Sequence, residues 1–361
     1  MIREFTVKNF RGFQDFNLDN LAQINLISGK NNVGKSALLE ALFLHFGNTN
    51  PQLAIMVNGF RGMNDMTFEF KSFSPNPFDS LFFNLDHTKI IELNSIDHSK
   101  KSKSVRIRLN PTSPRLKHDR NFSKSNVNFN LPRDEIGSDV FPVIDFEEIW
   151  HNKTTHYQLK VTPNGIKINK PMNPEFETHF VPSRTVSPKD DAILFGKIDK
   201  SNFSQIEEIV KILQIVDNRI KRLSVIPNAN EVMIHGDIGL SNSLPLPLMG
   251  EGMGKLNSLL LRFANAKNGV VLIDEIENGF HYSILKDIWK VIFEASKKFN
   301  VQIFATTHSY ECIKAANDVL LENSQYDFTL HRLVRMDDKI LHKSLDKQKL
   351  ATAMESNLEV R

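Results

Sequence analysis

Residues 29–36 read Gly29-Lys30-Asn31-Asn32-Val33-Gly34-Lys35-Ser36, a match to the pattern G-x-x-x-x-G-K-[ST]. An apolar run at 23–28 predicts a strand before it, and the run at 37–46 predicts a helix after it. Glycines let successive backbone N–H groups point at one anion, and the start of the helix adds its positive end. We therefore expect a phosphate-binding loop in which Lys35 contacts the β- and γ-phosphates and the Ser36 hydroxyl contacts Mg²⁺. The residues expected to contact a nucleotide at this loop are Asn31, Asn32, Val33, Gly34, Lys35, Ser36 and Ala37.

A second motif, an apolar run that ends in two acids, lies far downstream at residues 269–275, which read Gly-Val-Val-Leu-Ile-Asp-Glu. Such a run predicts a buried parallel strand that ends at a ligand-binding edge. Asp274 is then placed to support Mg²⁺, and Glu275 to orient or deprotonate an attacking water. Taken alone, each motif has a plain alternative, a chance glycine-rich turn or a pair of solvated acids. Their presence in the same chain favours a single site.

Two further segments have the character of ligand-binding turns. The run at 301–307 predicts another apolar strand, and His308 follows directly after it. Ligands of open α/β sheets bind beyond the carboxyl ends of strands, so His308 is a candidate to hydrogen-bond a γ-phosphate, with a plain loop histidine as the alternative. Residues 248–256 read Leu-Met-Gly-Glu-Gly-Met-Gly-Lys-Leu before a helix predicted at 257–266. This glycine-rich turn is a second anion-binding arrangement, although an ordinary helix start can have the same composition.

The order of these motifs resembles the ABC-type ATPase head that the SMC, RecF and OLD (overcoming lysogenization defect) families share. The opening residues 1–13, with the turn Asn9-Phe10-Arg11, are similar to the first strand and turn of those heads. Three segments resemble in particular the stand-alone OLD-like, AAA-type ATPases of bacterial anti-phage defence systems, namely residues 274–281, 305–309 and 358–361.

The resemblance implies an α/β protein, a P-loop NTPase of the ABC-ATPase type. Its mixed central sheet would be flanked by helices and joined by an antiparallel β subdomain and a small helical insertion. Residues 1–50 and 240–361 match well and would form the ATP-binding core. Residues 51–239 match only in general arrangement and would form a subsidiary β sheet plus a helical lobe inserted in that core. Within the insertion, residues 204–214 have apolar positions at helical spacing, and the phenylalanines between 60 and 83 predict a packed sheet.

The resemblance also implies roles for single residues in an ATP site. Ser36 and Asp274 would hold Mg²⁺. Glu275 would be the catalytic base, and His308 would be the switch histidine that contacts the γ-phosphate. Arg11 would flank the nucleotide.

Dimerisation around ATP is a further implication. In such heads ATP lies between the P-loop of one subunit and a signature turn of the other, so a homodimer or higher homo-oligomer forms when nucleotide binds. Here Gly250 and Gly252 stand in the signature turn, and Gly250 replaces a serine whose hydroxyl reaches the partner's γ-phosphate. Backbone N–H groups and Lys255 would have to substitute for that hydroxyl. No glutamine fits the Q-loop of these heads clearly; Gln52 is the nearest candidate.

The composition is that of an ordinary globular protein. The chain has 361 residues, of which 40% are hydrophobic and 24% charged, enough for a substantial core. The single cysteine, Cys312, excludes an intrachain disulfide and fits a reducing cytosol. The sequence shows no signal peptide, no apolar run of membrane-spanning length and no zinc-site spacing. We therefore expect a cytoplasmic protein without a membrane partner.

The charge is unevenly distributed, although the net charge is only +3. A basic stripe is typical of a nucleic-acid partner and equally typical of a solvated insertion, so both interpretations stay open. The stripe consists of nine basic residues against one acid, Asp119: Lys100, Lys101, Lys103, Arg106, Arg108, Arg115, Lys117, Arg120 and Lys124.

The resemblance implies one function, and two others are weighed against it. The first is an ATPase that dimerises around ATP and regulates a separate effector protein in bacterial anti-phage defence. OLD proteins usually carry a Toprim nuclease domain after the head; residues 309–361 are too few for it, so such a nuclease would be another chain. The alternative is a RecF-like, ATP-dependent DNA-binding or repair protein, whose DNA affinity would depend on the basic stripe. A transporter ATPase is disfavoured by the missing signature serine and the unplaced Q-loop.

Overall fold

The computed structural model describes residues 1–47, 50–59, 78–110, 122–124, 143–162, 165–169, 177–183, 187–201, 204–228, 231–323 and 325–361. The strands in these residues are β1 (Ile2–Phe10), β2 (Phe13–Leu18), β3 (Ile24–Ser28), β4 (Ile91–Asp97), β5 (Ser102–Asn110), β6 (Phe122–Lys124), β7 (Val143–Trp150), β8 (Lys153–Thr162), β9 (Gly165–Asn169), β10 (Thr178–Val181), β11 (Arg222–Asn228), β12 (Glu231–Asp237), β13 (Leu244–Pro245), β14 (Val270–Ile273), β15 (Gln302–Thr306), β16 (Phe328–Met336) and β17 (Lys339–Asp346). The helices are α1 (Lys35–Phe46), α2 (Leu53–Gly59), α3 (Pro188–Ser201), α4 (Ser204–Leu213), α5 (Glu251–Asn265), α6 (Leu285–Phe299), α7 (Tyr310–Glu322) and α8 (Lys347–Glu355).

The central sheet has six strands in the order β10-β14-β15-β3-β16-β17. The first five run parallel, and β17 returns antiparallel to β16. Every residue of β3, β14 and β15 is buried, as expected for parallel strands that are covered on both faces. The carboxyl ends of these three strands meet at one edge of the sheet, at Ser28, Ile273 and Thr306.

Alternate side chains of the central strands enter two separate hydrophobic cores, because successive residues of a strand point to opposite faces. Val271 and Ile273 of β14 belong to the core formed with α4, α5, α6 and α7. Val270 and Leu272 belong to the core that contains α1. This helix packs against both the central sheet and β4, and its residues 37–46 are all buried. The helix that follows the P-loop is therefore held from two sides.

An antiparallel sheet covers the other side of α1, with eight strands in the order β2-β1-β4-β5-β7-β8-β9-β6. Its strands follow the expected alternation: in β5, Lys103, Val105, Ile107 and Leu109 are buried, and the residues between them are more exposed. A smaller antiparallel sheet, β11-β12-β13, packs with α3 and α4 near α5. These elements form the walls around the central sheet.

The expected α/β class is confirmed, with a mixed central sheet flanked by helices, an antiparallel β-sheet and a small helical insertion. However, each of the two large sheets includes strands from both sides of the predicted domain boundaries. β1 and β2, from residues 1–50, pair in the antiparallel sheet, whereas β10, from residues 51–239, is the edge strand of the central sheet. Strand pairing over such distances leaves no signal in local spacing. The division into an ATP-binding core and an insertion stays a prediction.

Helix α5 begins earlier than the sequence predicts. It starts at Glu251, inside the glycine-rich turn, rather than at residue 257. Gly252 lies against the next loop, where an added Cβ would come within 3.3 Å of the Phe280 ring. Close packing at this position favours glycine in spite of its low helix propensity, which is why composition alone misplaces the helix start.

The phenylalanines expected to pack a subsidiary sheet are only partly described. Phe78 and Phe82 are fully buried, but they flank a short 3-10 turn at Asp79–Leu81, and Phe82 forms only an isolated bridge with Phe10. Both side chains nevertheless pack in the core beneath the antiparallel sheet, so the prediction that they pack a sheet is confirmed for these two, although they do not lie in its strands. Phe60, Phe68, Phe70 and Phe73 lie outside the described residues.

Cys312 packs in the core of α7. Burial raises the pKa of its thiol to about 12, so the side chain acts as a small apolar group.

Among the described residues, no helix combines the length and the apolar character that crossing a bilayer requires.

Stability should decrease as the pH falls, because His331 is buried in β16 in its neutral form. Burial, with His342 nearby, lowers the pKa of His331 from 6.5 to about 3, and its Nε2 lies 3.2 Å from Asn25 Oδ1. Between pH 6.5 and about 3, His331 binds a proton in the unfolded chain but not in the folded protein. His331 should therefore lower the unfolding free energy by about 1.4 kcal/mol for each pH unit below 6.5. Urea unfolding at pH 7, 6 and 5 measures the slope, and His331→Gln should make it shallower. Equal slopes for the two proteins would contradict this assignment.

Candidate functional site

A cavity of about 800 Å³ lies at the edge of the central sheet where the parallel strands end. The P-loop and the start of α1 line one side, through residues that include Asn31, Gly34 and Lys35. Asp274 and Glu275, directly after β14, line the other side. The structure thus brings together the two motifs that the sequence predicts to meet.

The P-loop is held in shape by the β16–β17 hairpin. Gly29 and Gly34 have φ angles of 146° and 111°, in the region that side chains disfavour. A Cβ on Gly29 would lie 2.7 Å from the carbonyl oxygen of Leu333, and a Cβ on Gly34 would lie 3.1 Å from the Cδ1 atom of Ile340. Both glycines are therefore required by backbone conformation and by close packing.

Lys35 lies across the loop that precedes it. Its ammonium donates to the carbonyl oxygens of Gly29, at 2.6 Å, and Lys30, at 3.1 Å. Burial lowers the pKa of Lys35, while the charges of Asp274, Glu275 and Glu277 act in the opposite direction. The lysine is thus partly desolvated, and the three carboxylates nearby offset part of its positive charge.

Ser36 and Asp274 form the contact that joins the two halves of the site. The Ser36 hydroxyl lies 3.1 Å from each oxygen of the Asp274 carboxylate. Thr306, at the end of β15, donates to Asp274 Oδ1 at 2.6 Å and accepts a hydrogen bond from the backbone N–H of Glu275 at 2.8 Å. A hydroxyl and a carboxylate are hard oxygen donors that suit Mg²⁺, which usually completes its shell with water and phosphate oxygens. Within the described part of the chain, no cluster of three His, Cys, Asp or Glu side chains has the arrangement of a metal site.

Glu275 and His308 lie close together at the same edge. Glu275 adopts a φ of 50°, an uncommon conformation for a non-glycine residue. Its carboxylate accepts a 2.6 Å hydrogen bond from the Asn278 amide and lies 3.9 Å from His308 Nδ1. Glu277 is nearer to the histidine: its Oε1 accepts from the backbone N–H of His308 at 3.0 Å and lies 3.1 Å from Nδ1. Half of the His308 side chain is exposed, so it remains accessible to a ligand.

Arg11 lines the cavity, but its charge is already paired. Its Nε lies 2.5 Å from the Glu40 carboxylate on α1, and both side chains are buried. Its Nη2 donates to the carbonyl oxygen of Val57 and to Asn58 Oδ1, both in α2. The guanidinium therefore joins three segments of the protein, and its predicted contact with a nucleotide stays a prediction.

The predicted signature turn lies apart from this cavity. Gly250 is exposed, with a φ of 116° and open space around it, and neither Gly250 nor Gly252 is among the described residues that line the cavity. Lys255, expected to substitute for the missing serine, instead donates to backbone carbonyl oxygens of Glu275, Ile276 and Asn278 and lies over the Phe280 ring. It fastens α5 to the segment after β14.

Sequence reasoning missed several polar residues of the site. Thr306 and Glu277 follow or end apolar strands, a position that could have identified them. Ser183 lies just beyond β10, the strand next to β14, and lines the cavity. No comparable signal marked Ser183, because β10 was not predicted as a strand of this sheet. Gln52, the candidate for a Q-loop, precedes α2 and is not among the described residues that line the cavity.

The basic stripe is partly neutralised by neighbouring strands. Lys103 lies 3.0 Å from Glu148 and is almost fully buried. Arg106 lies within ion-pair distance of Glu92 and Glu147. Three members of the stripe, Arg115, Lys117 and Arg120, lie outside the described residues.

A P-loop whose hydroxyl meets a carboxylate at the edge of a parallel sheet defines the class of P-loop nucleotide-binding proteins. Within this class, residues 24–313 match the family described as "AAA domain, putative AbiEii toxin, Type IV TA system". The chain belongs to this family of ATPase-type domains.

One relative aligns with almost the whole chain. A Helicobacter pylori protein named "ATP/GTP phosphatase" is 26% identical over 355 residues, which cover 94% of each chain. Two Methanocaldococcus jannaschii proteins match over shorter stretches. MJECL11 is 35% identical over 113 residues, 31% of this chain and 90% of that protein. MJECL10 is 57% identical over 44 residues, 12% of this chain and 20% of that protein.

Two solved structures of SMC heads overlap with the chain at low similarity. An SMC head bound to the C-winged helix domain of ScpA is 14% identical, with a TM-score of 0.49, and covers 98% of this chain and 99% of its own. The SMC head domain from Thermotoga maritima is 12% identical, with a TM-score of 0.43, and covers 96% of this chain and 99% of its own. Likenesses this distant say nothing further about the site.

Removal of the Glu40 carboxylate should destabilise the protein, because it takes an ion-pair partner from a buried guanidinium. The exposed fractions of the two side chains are 7% for Arg11 and 2% for Glu40. Breaking a buried pair from one side costs about 3–5 kcal/mol, so Glu40→Leu should lower the unfolding free energy in urea by that order. The exposed pair Glu359–Arg361 supplies the control, since Glu359→Gln should cost less than about 1 kcal/mol. Equal losses for the two variants would contradict the role of the Glu40 pair.

Proposed function

We propose that this chain binds ATP together with Mg²⁺ and hydrolyses it to ADP and phosphate. The observation that carries the proposal is the meeting of Ser36 and Asp274, at 3.1 Å, on the wall of a cavity that Lys35 also lines. A P-loop hydroxyl and an acid at the end of a neighbouring strand are the oxygen groups that support nucleotide-bound Mg²⁺ in P-loop NTPases. The match to a family of ATPase-type domains supports the same conclusion.

The phosphates would be held mainly by the P-loop. Its backbone N–H groups at residues 31–37 and the start of α1 provide donors and a positive dipole end. The Lys35 ammonium, now bonded to carbonyl oxygens of the loop, would donate to the β- and γ-phosphates. Mg²⁺ held by Ser36 and Asp274 would neutralise charge on those phosphates.

Hydrolysis would be assisted by two groups at the edge of the sheet. Glu275 would orient the attacking water and accept its proton, and Asn278, bonded to the Glu275 carboxylate at 2.6 Å, would fix the direction of that group. His308 would hydrogen-bond the γ-phosphate from the next strand. Hydrolysis of ATP is also the kind of activity that the name of the Helicobacter pylori relative indicates for that protein, which aligns over 94% of each chain.

The proposal includes a homodimer, or a higher homo-oligomer, that forms around ATP. Gly250 lies on an exposed turn away from the cavity of its own chain, and no side chain crowds it. The Gly250 N–H donates to the carbonyl oxygen of Pro247, so the N–H groups of the first residues of α5 are the ones that would bind a nucleotide held by a second copy. ATP would then be part of a two-fold interface, and residues 1–50 and 240–361 would supply both faces of it.

We further propose that the ATP cycle regulates a separate effector protein in anti-phage defence, within the cytoplasm. The family description, which refers to a toxin and a type IV toxin–antitoxin system, supports a two-component arrangement of this kind. The RecF-like alternative, with DNA as a partner, has less support because Lys103 and Arg106 of the basic stripe are paired with acids of the same sheet.

Lys35→Ala is expected to abolish detectable ATP binding, because it removes the ammonium that would contact two phosphates. Isothermal titration of Mg-ATP should show a loss of at least about 100-fold in affinity, as expected for charge-assisted bonds lost at the β- and γ-phosphates. Lys297→Ala, which removes an exposed lysine on α6, is the matched control and should bind like the wild type. Wild-type affinity in Lys35→Ala would remove the basis of the site.

Glu275→Gln is expected to preserve ATP binding, to block turnover and to accumulate a dimer. The amide keeps the shape of the side chain but cannot accept the proton, so phosphate release should fall on the order of 100-fold or more. A phosphate-release assay measures turnover, and light scattering after size exclusion, with and without ATP, measures the dimer. Glu311→Gln, an exposed carboxylate at the start of α7, serves as the control. Wild-type turnover in Glu275→Gln would end the assignment of the base.

A further inference from the structure

The cavity carries an arginine that no motif points to. Arg335 lies on β16 and lines the cavity together with the P-loop. Its Nη2 atom lies 3.4 Å from the position that a Cβ would take on Gly12, so the guanidinium reaches the turn after β1. Its partner across the hairpin, Ile340, is the residue that packs on Gly34. Arg335 therefore lies next to Ile340, the residue through which the hairpin contacts the P-loop.

The two arginines of the cavity differ in how their charges are used. Arg11 is committed to Glu40 at 2.5 Å and to acceptors of α2. Arg335 is exposed, and over the described ranges it forms no ion pair and no hydrogen bond. A guanidinium presents several donors in a planar fork that matches two phosphate oxygens, and it keeps its charge at every physiological pH. Of the two, Arg335 has the charge that a bound anion can use.

We propose that Arg335 is a phosphate-binding residue of the nucleotide site, whereas the family resemblance had pointed to Arg11 as the arginine that flanks the nucleotide. The inference rests on the proposed function, since it presumes that a nucleotide occupies the cavity. Lys35 and Arg335 would approach the phosphate chain from two sides, one from α1 and one from the β16–β17 hairpin. Arg11 then has a different task, which is to join α1, α2 and the turn after β1.

The test is nucleotide affinity, which needs no turnover. Isothermal titrations with ADP, GDP and a non-hydrolysable ATP analogue, each with Mg²⁺, compare the wild type with Arg335→Ala. In Arg335→Ala, we expect the dissociation constants of ADP, GDP and the ATP analogue to rise on the order of 10-fold. Adenine and guanine nucleotides should be affected alike, because they share the phosphates. Arg335→Lys, which keeps the charge but not the fork, should recover part of the affinity.

Lys343→Ala is the matched control. Lys343 is exposed on β17 of the same hairpin, and it lies three residues from Ile340, so it points to the opposite face from the P-loop. Lys343→Ala removes one positive charge from the same hairpin, as Arg335→Ala does. Its dissociation constants for the nucleotides should stay within about twofold of those of the wild type. Thermal unfolding of each variant shows whether it is folded.

The outcomes separate this inference from the proposed function. If the wild type binds none of the nucleotides, the proposed function fails. If the wild type binds them and Arg335→Ala binds equally well, only the role of Arg335 fails. A loss confined to either the adenine or the guanine nucleotides would show a contact with the base and would also overturn the phosphate assignment.

Discussion

The contact between the Ser36 hydroxyl and the Asp274 carboxylate is the interaction on which the site depends. It joins two segments that are 238 residues apart in the chain. The contact is set by the parallel pairing of β3, β15 and β14, which ends three buried strands at one edge. Thr306 reinforces it from the middle strand, since its hydroxyl bonds both the Asp274 carboxylate and the Glu275 backbone. The register of the sheet therefore determines which polar side chains meet at this edge.

A balance of charge accompanies this geometry. Asp274, Glu275 and Glu277 lie around one partly desolvated lysine, and burial and these carboxylates act on the Lys35 pKa in opposite directions. Arg11, another cation of the cavity, is matched by its own carboxylate on α1. An added polyphosphate would enter a site where acids already offset much of the positive charge. The affinity for a polyphosphate would then depend on Mg²⁺ and on a further positive charge such as that of Arg335.

How much of this the sequence could reveal differs from residue to residue. The meeting of Lys35 and Asp274 in one cavity could be predicted, because each belongs to a motif of fixed residue types at a fixed position after a strand. Whether a charged side chain is already paired could not be predicted, because pairing depends on tertiary contacts that the spacing of residues does not show. Arg11 looked available from its motif and proves to be bonded to Glu40, and Lys255 proves to be bonded to the carbonyl oxygens after β14. The strand β10, short and remote from its neighbours, gave no periodic signal that would place Ser183 at the edge.

The P-loop is framed by segments that lie far downstream in the chain. β3 is flanked by β15 and β16, the Ser28 hydroxyl donates to the carbonyl oxygen of Val360, and the hairpin after residue 328 packs on the loop glycines. On a ribosome, where the chain emerges from its amino end, the loop sequence leaves the tunnel long before the strands that hold it. A nascent chain therefore cannot assemble the walls of this cavity until β16, β17 and Val360 have also left the ribosome.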